Sequence, residues 1–378
     1  MKQNLLLISL DTLRADVAYS GKFKTIERLR SKGVTFLNTV SSSPLTPCSH
    51  ATVFTGLQPF NHGVRHLFKE QLPKKIPTIA QVMKDNGYAT KAIVSCPGMN
   101  KWYGFSKGFD SYNDKIPRLA DGSDPLKTVD VKKRGTALKR ANLVSDLAVK
   151  WLDKNKDEKF FLFIHFFDAH WPYEAPEIHG GDNIYEEEVA YADHYLGKVI
   201  DYLDENNLTE NTTIICFSDH GEDLNGLYPN DKGGAELGHP EENGHGCLLY
   251  NQTQKVMLSI KDKSLDKNVN YANQVRLVDI FPTIIDLFGF DYKTDKLDGK
   301  SLVPVIKSNE SLVGYSETFY PEEQGKMDPS FAYVKNKKSF VHDDKYKVIV
   351  NLEAESEVYN TELDPNELNN ILTNYDKK

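Results

Sequence analysis

The sequence predicts an α/β fold, a three-layer sandwich in which helices cover both faces of a largely parallel central sheet, with a small antiparallel sheet at the C-terminal end. Three observations predict it. Nearly continuous apolar runs recur at residues 4–10, 89–95, 160–167 and 213–218, and such runs mark strands buried on both faces. Helix-like stretches alternate with these runs, and that alternation builds a parallel sheet through right-handed crossovers. After about residue 310 the texture changes to short alternating segments separated by Lys, Asp and Asn turns, which reads as antiparallel pairing.

In chain order, the run at 4–10 ends in Asp11, so a buried strand delivers a carboxylate to its C-terminal edge. A helix is expected at 25–32 and another at 78–86, the second with Thr78 as N-cap behind Pro77. The strand at 89–95 follows, then a helix at 141–154. The strand at 160–167 runs directly into Asp168 and His170, and the strand at 213–218 runs into Asp219 and His220. Helices at 186–205 and 279–287 complete the main body. Segments 331–334, 339–342, 346–350 and 357–359 supply the small sheet. On this reading residues 1–310 form the α/β catalytic domain, and residues 311–378 form a small antiparallel subdomain packed on it.

With 378 residues, 39% hydrophobic and 11% aromatic content, the chain can bury a large core and has no disordered composition. The formal charge of -8 argues against a nucleic-acid-binding surface. Lys132, Lys133 and Arg134, with Lys139 and Arg140, read as a solvated loop and helix start. Cys48, Cys96, Cys216 and Cys247 lack metal-ligand spacing and imply no disulfides; Cys216 suits the interior of an apolar strand. The apolar stretch after Lys2 is shorter than a signal-peptide core, and no apolar window reaches the length of a membrane span. The chain therefore reads as cytoplasmic, with no membrane anchor; its oligomeric state is not written in the sequence.

Ligand sites in open α/β sheets lie beyond the carboxyl ends of the strands, so Asp11, Asp168, His170, Asp219 and His220 are expected to converge. Asp168 and His170, two apart on an extended segment, are expected on one side of the chain. Asp219 and His220 place a hard oxygen beside an imidazole, and with Asp11 and Thr46 they make a ligand set for a divalent ion. Thr46 itself lies at a turn leading into a helix, where free backbone N–H groups welcome an anion.

The segment Leu45-Thr46-Pro47-Cys48-Ser49-His50-Ala51-Thr52-Val53-Phe54-Thr55-Gly56 resembles the nucleophile motif of sulfatases, Cys/Ser-x-Pro-Ser-Arg followed at a set distance by Thr-Gly. Its register puts Thr46 at the nucleophile position and His50 where the motif has Arg. Cys48 leaves two residues too few before Thr55-Gly56 and reads as a packed thiol. Residues 5–16 resemble the opening strand and metal-binding Asp of the sulfatase branch of the alkaline phosphatase superfamily. Residues 163–173 resemble its central strand and substrate-side His, residues 214–222 its second ligand strand, and residues 245–250 the segment after it. Residues 278–283, 298–302 and 358–370 match further punctuation of that family, so the likeness runs over nearly the whole chain and implies its fold.

The resemblance implies a role for each candidate. Asp11, Thr46, Asp219 and His220 would hold the ion. A His in the set leans toward Mn or Zn, whereas sulfatases of the formylglycine type pair an all-oxygen set with Ca. Thr12 sits where many relatives carry a second Asp, which leaves the number of ions open. His170 and His245 would act on the transferred group or its leaving oxygen. Asp168 is placed on the substrate side, with a tautomer-fixing acceptor or a second-metal ligand as its other readings. His50 either points at the substrate in place of Arg or packs below the site. His239 lies in a Gly-rich acidic insert at 225–244, where, with residues 111–140, substrate identity is expected to be carried. Arg14, Asp16, His62 and His165 read as structural.

Formylglycine is made from Cys or Ser, so Thr46 points instead to a metal-activated hydroxyl that attacks phosphate or phosphonate esters of small anionic substrates through a phospho-threonine intermediate. Three alternatives stand: a sulfuric ester hydrolase, a soluble phosphoryl-group transferase, and a catalytically silent relative. The transferases of this type are membrane-anchored, which favours hydrolysis.

Overall fold

The computed structural model describes residues 3–119, 121–124, 127, 139–224, 242, 244–327, 334–342, 345–352 and 354–372. At its centre is strand β1 (Asn4–Leu10), every residue of which is buried. The remaining strands of the main body are β2 (Val34–Phe36), β3 (Thr39–Val40), β4 (Ala89–Ile93), β5 (Ser111–Asn113), β6 (Phe160–Phe166), β7 (Thr212–Phe217), β8 (Lys255–Val256), β9 (Leu258–Lys261), β10 (Val269–Tyr271) and β11 (Val275–Arg276). The large sheet runs in the order β10-β2-β9-β7-β1-β6-β4-β5. Its pairs are parallel except at β9, which is antiparallel to both β7 and β2.

Strand alternation sorts the apolar side chains into two cores. Leu5 and Leu7 of β1 face one core together with Phe54 of helix Thr46–Thr55 and Phe281 of helix Ile280–Phe288. Leu6, Ile8 and Leu10 face the other, together with side chains of helices Lys24–Ser31, Ala141–Asn155 and Ile184–Glu205. These are the two helical layers, and each fully buried Leu or Ile contributes about 2 kcal/mol of transfer free energy. Thr78 caps helix Ile79–Asp85 by accepting from the Gln81 N–H at 3.2 Å. Asn183 caps Ile184–Glu205 in the same way, accepting from Tyr185 and Glu186. The long expected elements are present within a few residues. The short strands β2, β3, β5 and β8–β11 carry two to four residues each, too few for a period to show.

A separate, wholly antiparallel sheet is built from β12 (Gly314–Thr318), β13 (Lys337–His342), β14 (Tyr346–Asn351) and β15 (Glu357–Asn360). Ile349 and Tyr359 pack on Cys247, Leu248 and Tyr250. A wholly buried ion pair, Lys347 Nζ to Glu367 Oε1 at 2.7 Å, ties β14 to the chain beyond β15. Of the segment expected at 331–334, residues 331–333 lie outside the described residues. Among the described residues no helix is long and apolar enough to cross a membrane, and Cys48, Cys96, Cys216 and Cys247 are buried and free.

Lys139 and Arg140 depart from the expected solvated surface. Lys139 is buried, and its ammonium donates to the carbonyls of Val94 at 2.7 Å and Asn113 at 2.8 Å, satisfying groups at the ends of β4 and β5. Arg140 Nε lies 3.1 Å from Asp168 Oδ1, and its guanidinium also bonds Glu188. Lys132, Lys133 and Arg134 lie outside the described residues.

His62 gives the fold a predictable acid sensitivity. Its Nδ1 accepts from the Val64 N–H at 3.1 Å and its Nε2 lies 3.1 Å from Thr52 Oγ1, so a second proton has no acceptor. Burial pushes its pKa from 6.5 down to about 3. Between these values the unfolded chain binds a proton that the native protein does not, so stability falls as pH falls, by about 1.4 kcal/mol per pH unit for this group. Urea unfolding at pH 7 and pH 5 is expected to show wild type losing roughly 2 kcal/mol more than His62→Gln; equal losses would remove His62 as a source of the slope.

Candidate active site

Asp11 and Asp219 leave the large sheet at the same edge, because Leu10 pairs with Phe166 and Ser9 with Phe217. Helix Thr46–Thr55 starts at that edge. Leu45 is extended, and Pro47 presets the first turn. Thr46 Oγ1 lies 3.2 Å from Asp11 Oδ2 and 3.3 Å from His220 Nε2, so the hydroxyl sits between a carboxylate and an imidazole.

The hydrogen bonds around these groups fix which atoms remain free. Asp11 Oδ2 also faces His165 Nε2 at 3.0 Å. His165 Nδ1 accepts from the Ser95 N–H at 3.3 Å, so the His165 proton is on Nε2 and points at Asp11. Asp219 Oδ1 accepts from the Thr12 N–H at 3.3 Å. His220 Nδ1 donates to the Gly221 carbonyl at 3.0 Å, which leaves its Nε2 lone pair 3.4 Å from Asp219 Oδ2 and 3.9 Å from Asp11 Oδ1. Asp11 Oδ1 and Asp219 Oδ2 are buried and accept no hydrogen bond.

Two orphaned carboxylate oxygens and one imidazole lone pair, with ligand atoms within 4.8 Å of one another, form a set that a divalent cation fits. Without a cation, burial pushes the Asp11 and Asp219 carboxyls above the usual range, and in Asp219 the nearby Asp11 adds to the effect. Asp11, Cys96 and His165 are equally close together, but burial pushes the Cys96 thiol far up, and the His165 lone pair is already bonded. That group does not offer ligands.

Thr12 adopts φ 57, a left-handed conformation unusual for a β-branched residue. Its hydroxyl bonds the Asp11 carbonyl at 2.7 Å, its N–H holds Asp219, and its carbonyl accepts from the Tyr185 hydroxyl at 2.8 Å. Thr12 thus braces the turn that aims Asp11 and turns its own oxygen away from the ligand set.

Three imidazoles line one side. The His245 ring is 4.2 Å from that of His220 and 4.8 Å from that of His170. His170 stacks on Phe167 at 4.1 Å, and its Nδ1 donates to the Trp171 carbonyl at 2.5 Å. His245 Nδ1 lies 2.9 Å from Glu222 Oε1. Burial, then the neighbouring imidazoles, hold His245 well below the ordinary histidine range; His170 is lowered by burial too.

Two expectations change. Asp168 and His170 do not share a side, because β6 ends at Phe166 and residues 167–170 form a turn closed by His170 N–H to Phe167 carbonyl at 3.2 Å. Asp168 instead receives the Ala141 N–H at 3.0 Å and Arg140, anchoring the start of helix Ala141–Asn155. His50 takes the packing alternative. It is fully buried, with Nδ1 on the Thr46 carbonyl and Nε2 on Ser9 Oγ, both at 2.8 Å, among Phe54, Phe163 and Phe217. Burial holds its pKa at about 3, so it is a neutral prop under Thr46. His239 lies outside the described residues.

Sequence reasoning gave Glu222 no role and read His165 only as structural. His165 was findable as the polar residue on the face of β6 that otherwise carries Phe161 and Phe163. Arg14 and Asp16 pair with each other at 2.8 Å.

The family model described as "Sulfatase" matches residues 3–290, and that of "N-sulphoglucosamine sulphohydrolase, C-terminal" matches residues 246–378. A sulfatase of Formosa agariphila is 24% identical over 453 residues, covering 99% of this chain and 84% of that protein. An arylsulfatase of Hemicentrotus pulcherrimus is 26% identical over 349 residues, covering 78% of this chain and 59% of its own length. Among solved structures, the phosphonate monoester hydrolase of Agrobacterium radiobacter superposes with a TM-score of 0.75 at 18% identity, over 99% of this chain and 92% of the other. A protein solved with its substrate D-glucosamine-2-N,6-O-disulfate gives 0.73 at 16% identity, over 100% and 95%.

Proposed function

This chain belongs to the sulfatase family, matched by the family model over residues 3–290, and from that premise we propose that it hydrolyses phosphate or phosphonate esters with Thr46 as nucleophile. The observation that carries this reading is the Thr46 hydroxyl at the start of its helix, 3.2 Å from Asp11 and 3.3 Å from His220, with Cys48 packed in the core. A threonine does not yield the aldehyde on which formylglycine sulfatases depend, so the hydroxyl itself must react.

Enzymes of this superfamily are metal-dependent; here Asp11, Thr46, Asp219 and His220 would hold the ion, which when bound would acidify the Thr46 hydroxyl and neutralise charge on the phosphoryl oxygens. The imidazole in the set favours Mn or Zn over Ca. Thr46 Oγ1 gives its proton to the Asp11 carboxylate it faces and bonds to phosphorus as the bond to the ester oxygen breaks, giving a phospho-threonine, and the departing oxygen takes a proton from His170 or His245. Water then gives one proton back to that imidazole as its oxygen bonds to phosphorus, the bond to Thr46 Oγ1 breaks, and the hydroxyl regains its proton from Asp11. The N-terminus of helix Thr46–Thr55 faces the developing negative charge.

Sulfuric ester hydrolysis by the same Thr46 is the second reading, favoured by the sulfatases among the relatives. Protein purified without any maturation enzyme is expected to cleave 4-nitrophenyl phosphate or phenylphosphonate esters at least about tenfold faster than 4-nitrophenyl sulfate with Mn or Zn, since a dication and a helix N-terminus suit the more highly charged group. Intact-mass spectrometry is expected to show Thr46 unmodified. The opposite ranking with Mn, Zn and Ca each tested would give the sulfatase reading precedence.

A further inference from the structure

We infer that Trp102 and Trp171 form the subsite for the departing alcohol and select one whose body is a flat ring, aromatic or sugar. This rests on the phosphoryl-ester reading above and names its substrate class. Single exposed apolar side chains are ordinary on a protein surface. These two differ because each, though 41% exposed, belongs to a segment fastened beside the reacting groups.

The carbonyl of Trp171 accepts from His170 Nδ1 at 2.5 Å, and its N–H donates to the Glu222 carboxyl. The backbone of Trp171 is therefore held between two side chains of the site, while its indole is left to the solvent. In an in-line displacement the ester oxygen departs on the side away from Thr46 Oγ1. An alcohol leaving past His170 meets the Trp171 indole next.

Trp102 comes from a different wall. A Cβ on Gly98 would stand 3.5 Å from Thr46 Cβ, so the turn Pro97–Met99 lies against the nucleophile, and the next turn, Lys101–Tyr103, carries Trp102 at the surface. Both turns are tied down. Asn100 Oδ1 accepts from the Trp102 N–H at 2.8 Å, the Lys101 N–H reaches Asp114 at 3.0 Å, and the Leu72 N–H donates to the Tyr103 carbonyl at 2.8 Å. The Trp102 ring packs edge-on against buried Tyr103 at 5.0 Å. The Tyr103 hydroxyl also accepts from the Phe68 N–H at 3.0 Å, holding that half-exposed aromatic at φ 57, a costly conformation that persists only where its surroundings enforce it. An indole fixed before binding covers the face of a ring with little further loss of side-chain freedom. A short alkyl group offers it no such face.

Esters of three primary alcohols, whose leaving oxygens are chemically alike, read the subsite: the ethyl, benzyl and methyl-glucoside-6-yl phosphates and methylphosphonates. Wild type is expected to show a kcat/KM at least about tenfold higher on the benzyl or the glucosidic ester than on the ethyl ester, and the leader of the two tells an aromatic ring from a sugar. Trp102→Ala and Trp171→Ala should each lose about tenfold more on that ring ester than on the ethyl ester, chiefly in KM, with the apparent Tm and bound Mn or Zn of wild type. Trp102→Phe should recover most of the difference. No ring preference in wild type, or equal losses on ring and ethyl esters in either Ala variant, would overturn the inference. If wild type cleaves none of the esters, or Thr46→Ala matches it, the phosphoryl-ester reading has failed instead. Calorimetry on the three uncleavable phosphonates with CH2 in place of the bridging oxygen then decides the subsite by itself: tighter binding of a ring analogue, lost in the Ala variants, supports it, and equal binding of all three overturns it.

Discussion

Thr46→Ala is expected to lower kcat by at least about 10⁴-fold on every ester that the protein accepts, and to do so without unfolding it. Removing a nucleophile that works as part of a unit costs on the order of 10⁴- to 10⁶-fold. Little of that loss can come from the fold. The Thr46 side chain contributes one methyl to packing, and among the described residues its hydroxyl is hydrogen-bonded to Asp11 and His220. The apparent Tm should stay within a few degrees of wild type. Acid quenching during turnover adds a second readout, a phosphoryl adduct on the helix Thr46–Thr55 peptide of wild type and none on the variant. A Thr46→Ala protein with activity near wild type would remove the hydroxyl from the chemistry.

The second large effect is the loss of the cation. Asp219→Asn leaves Asp11 as the one carboxylate of the set, so bound Mn or Zn should fall below stoichiometric amounts and kcat should fall by about 10³-fold. Stability gives an independent measure. An ion present at about 1000 times its dissociation constant stabilises a native site by about 4 kcal/mol, so adding Mn or Zn should raise the apparent Tm of chelated wild type and leave Asp219→Asn nearly unmoved. The pH dependence has a definite sign. The native carboxyls of Asp11 and Asp219 hold protons to higher pH than the unfolded ones, so the metal-free protein loses stability as pH rises above about 4, and the ion should abolish that loss. A chelated protein with the same Tm profile as the loaded one would exclude this ligand set.

The legible parts of the site are those where a long buried run stops at a polar residue. β1 stops at Asp11 and β7 leads to Asp219 and His220, and parallel register alone brings them to one edge. The position of Asp168 was not legible, because it depends on β6 ending one residue sooner, at Phe166. His50 follows from helix geometry in hindsight. It lies four residues after Thr46, one turn deeper on the same face, so its ring reaches the Thr46 carbonyl beneath the hydroxyl. Glu222 stands two residues after His220, but its partner lies beyond the 225–241 stretch, and no local pattern announces such a pairing. The short strands were invisible because pairing partners, not their own composition, make them strands.

The antiparallel sheet near the C-terminus bears on when catalysis becomes available during synthesis. Ser316 Oγ bonds the Ser41 carbonyl, Thr318 Oγ1 bonds the Gly246 carbonyl, and Tyr320 packs against Gly246 beside His245. Contacts spanning 275 and 72 residues therefore support the loops that carry Thr46 and His245. Loop closures of that length are slow to form, and none can form until β12 has emerged from the ribosome. A nascent chain that has already folded β1, β6 and β7 lacks these supports until β12 has been translated.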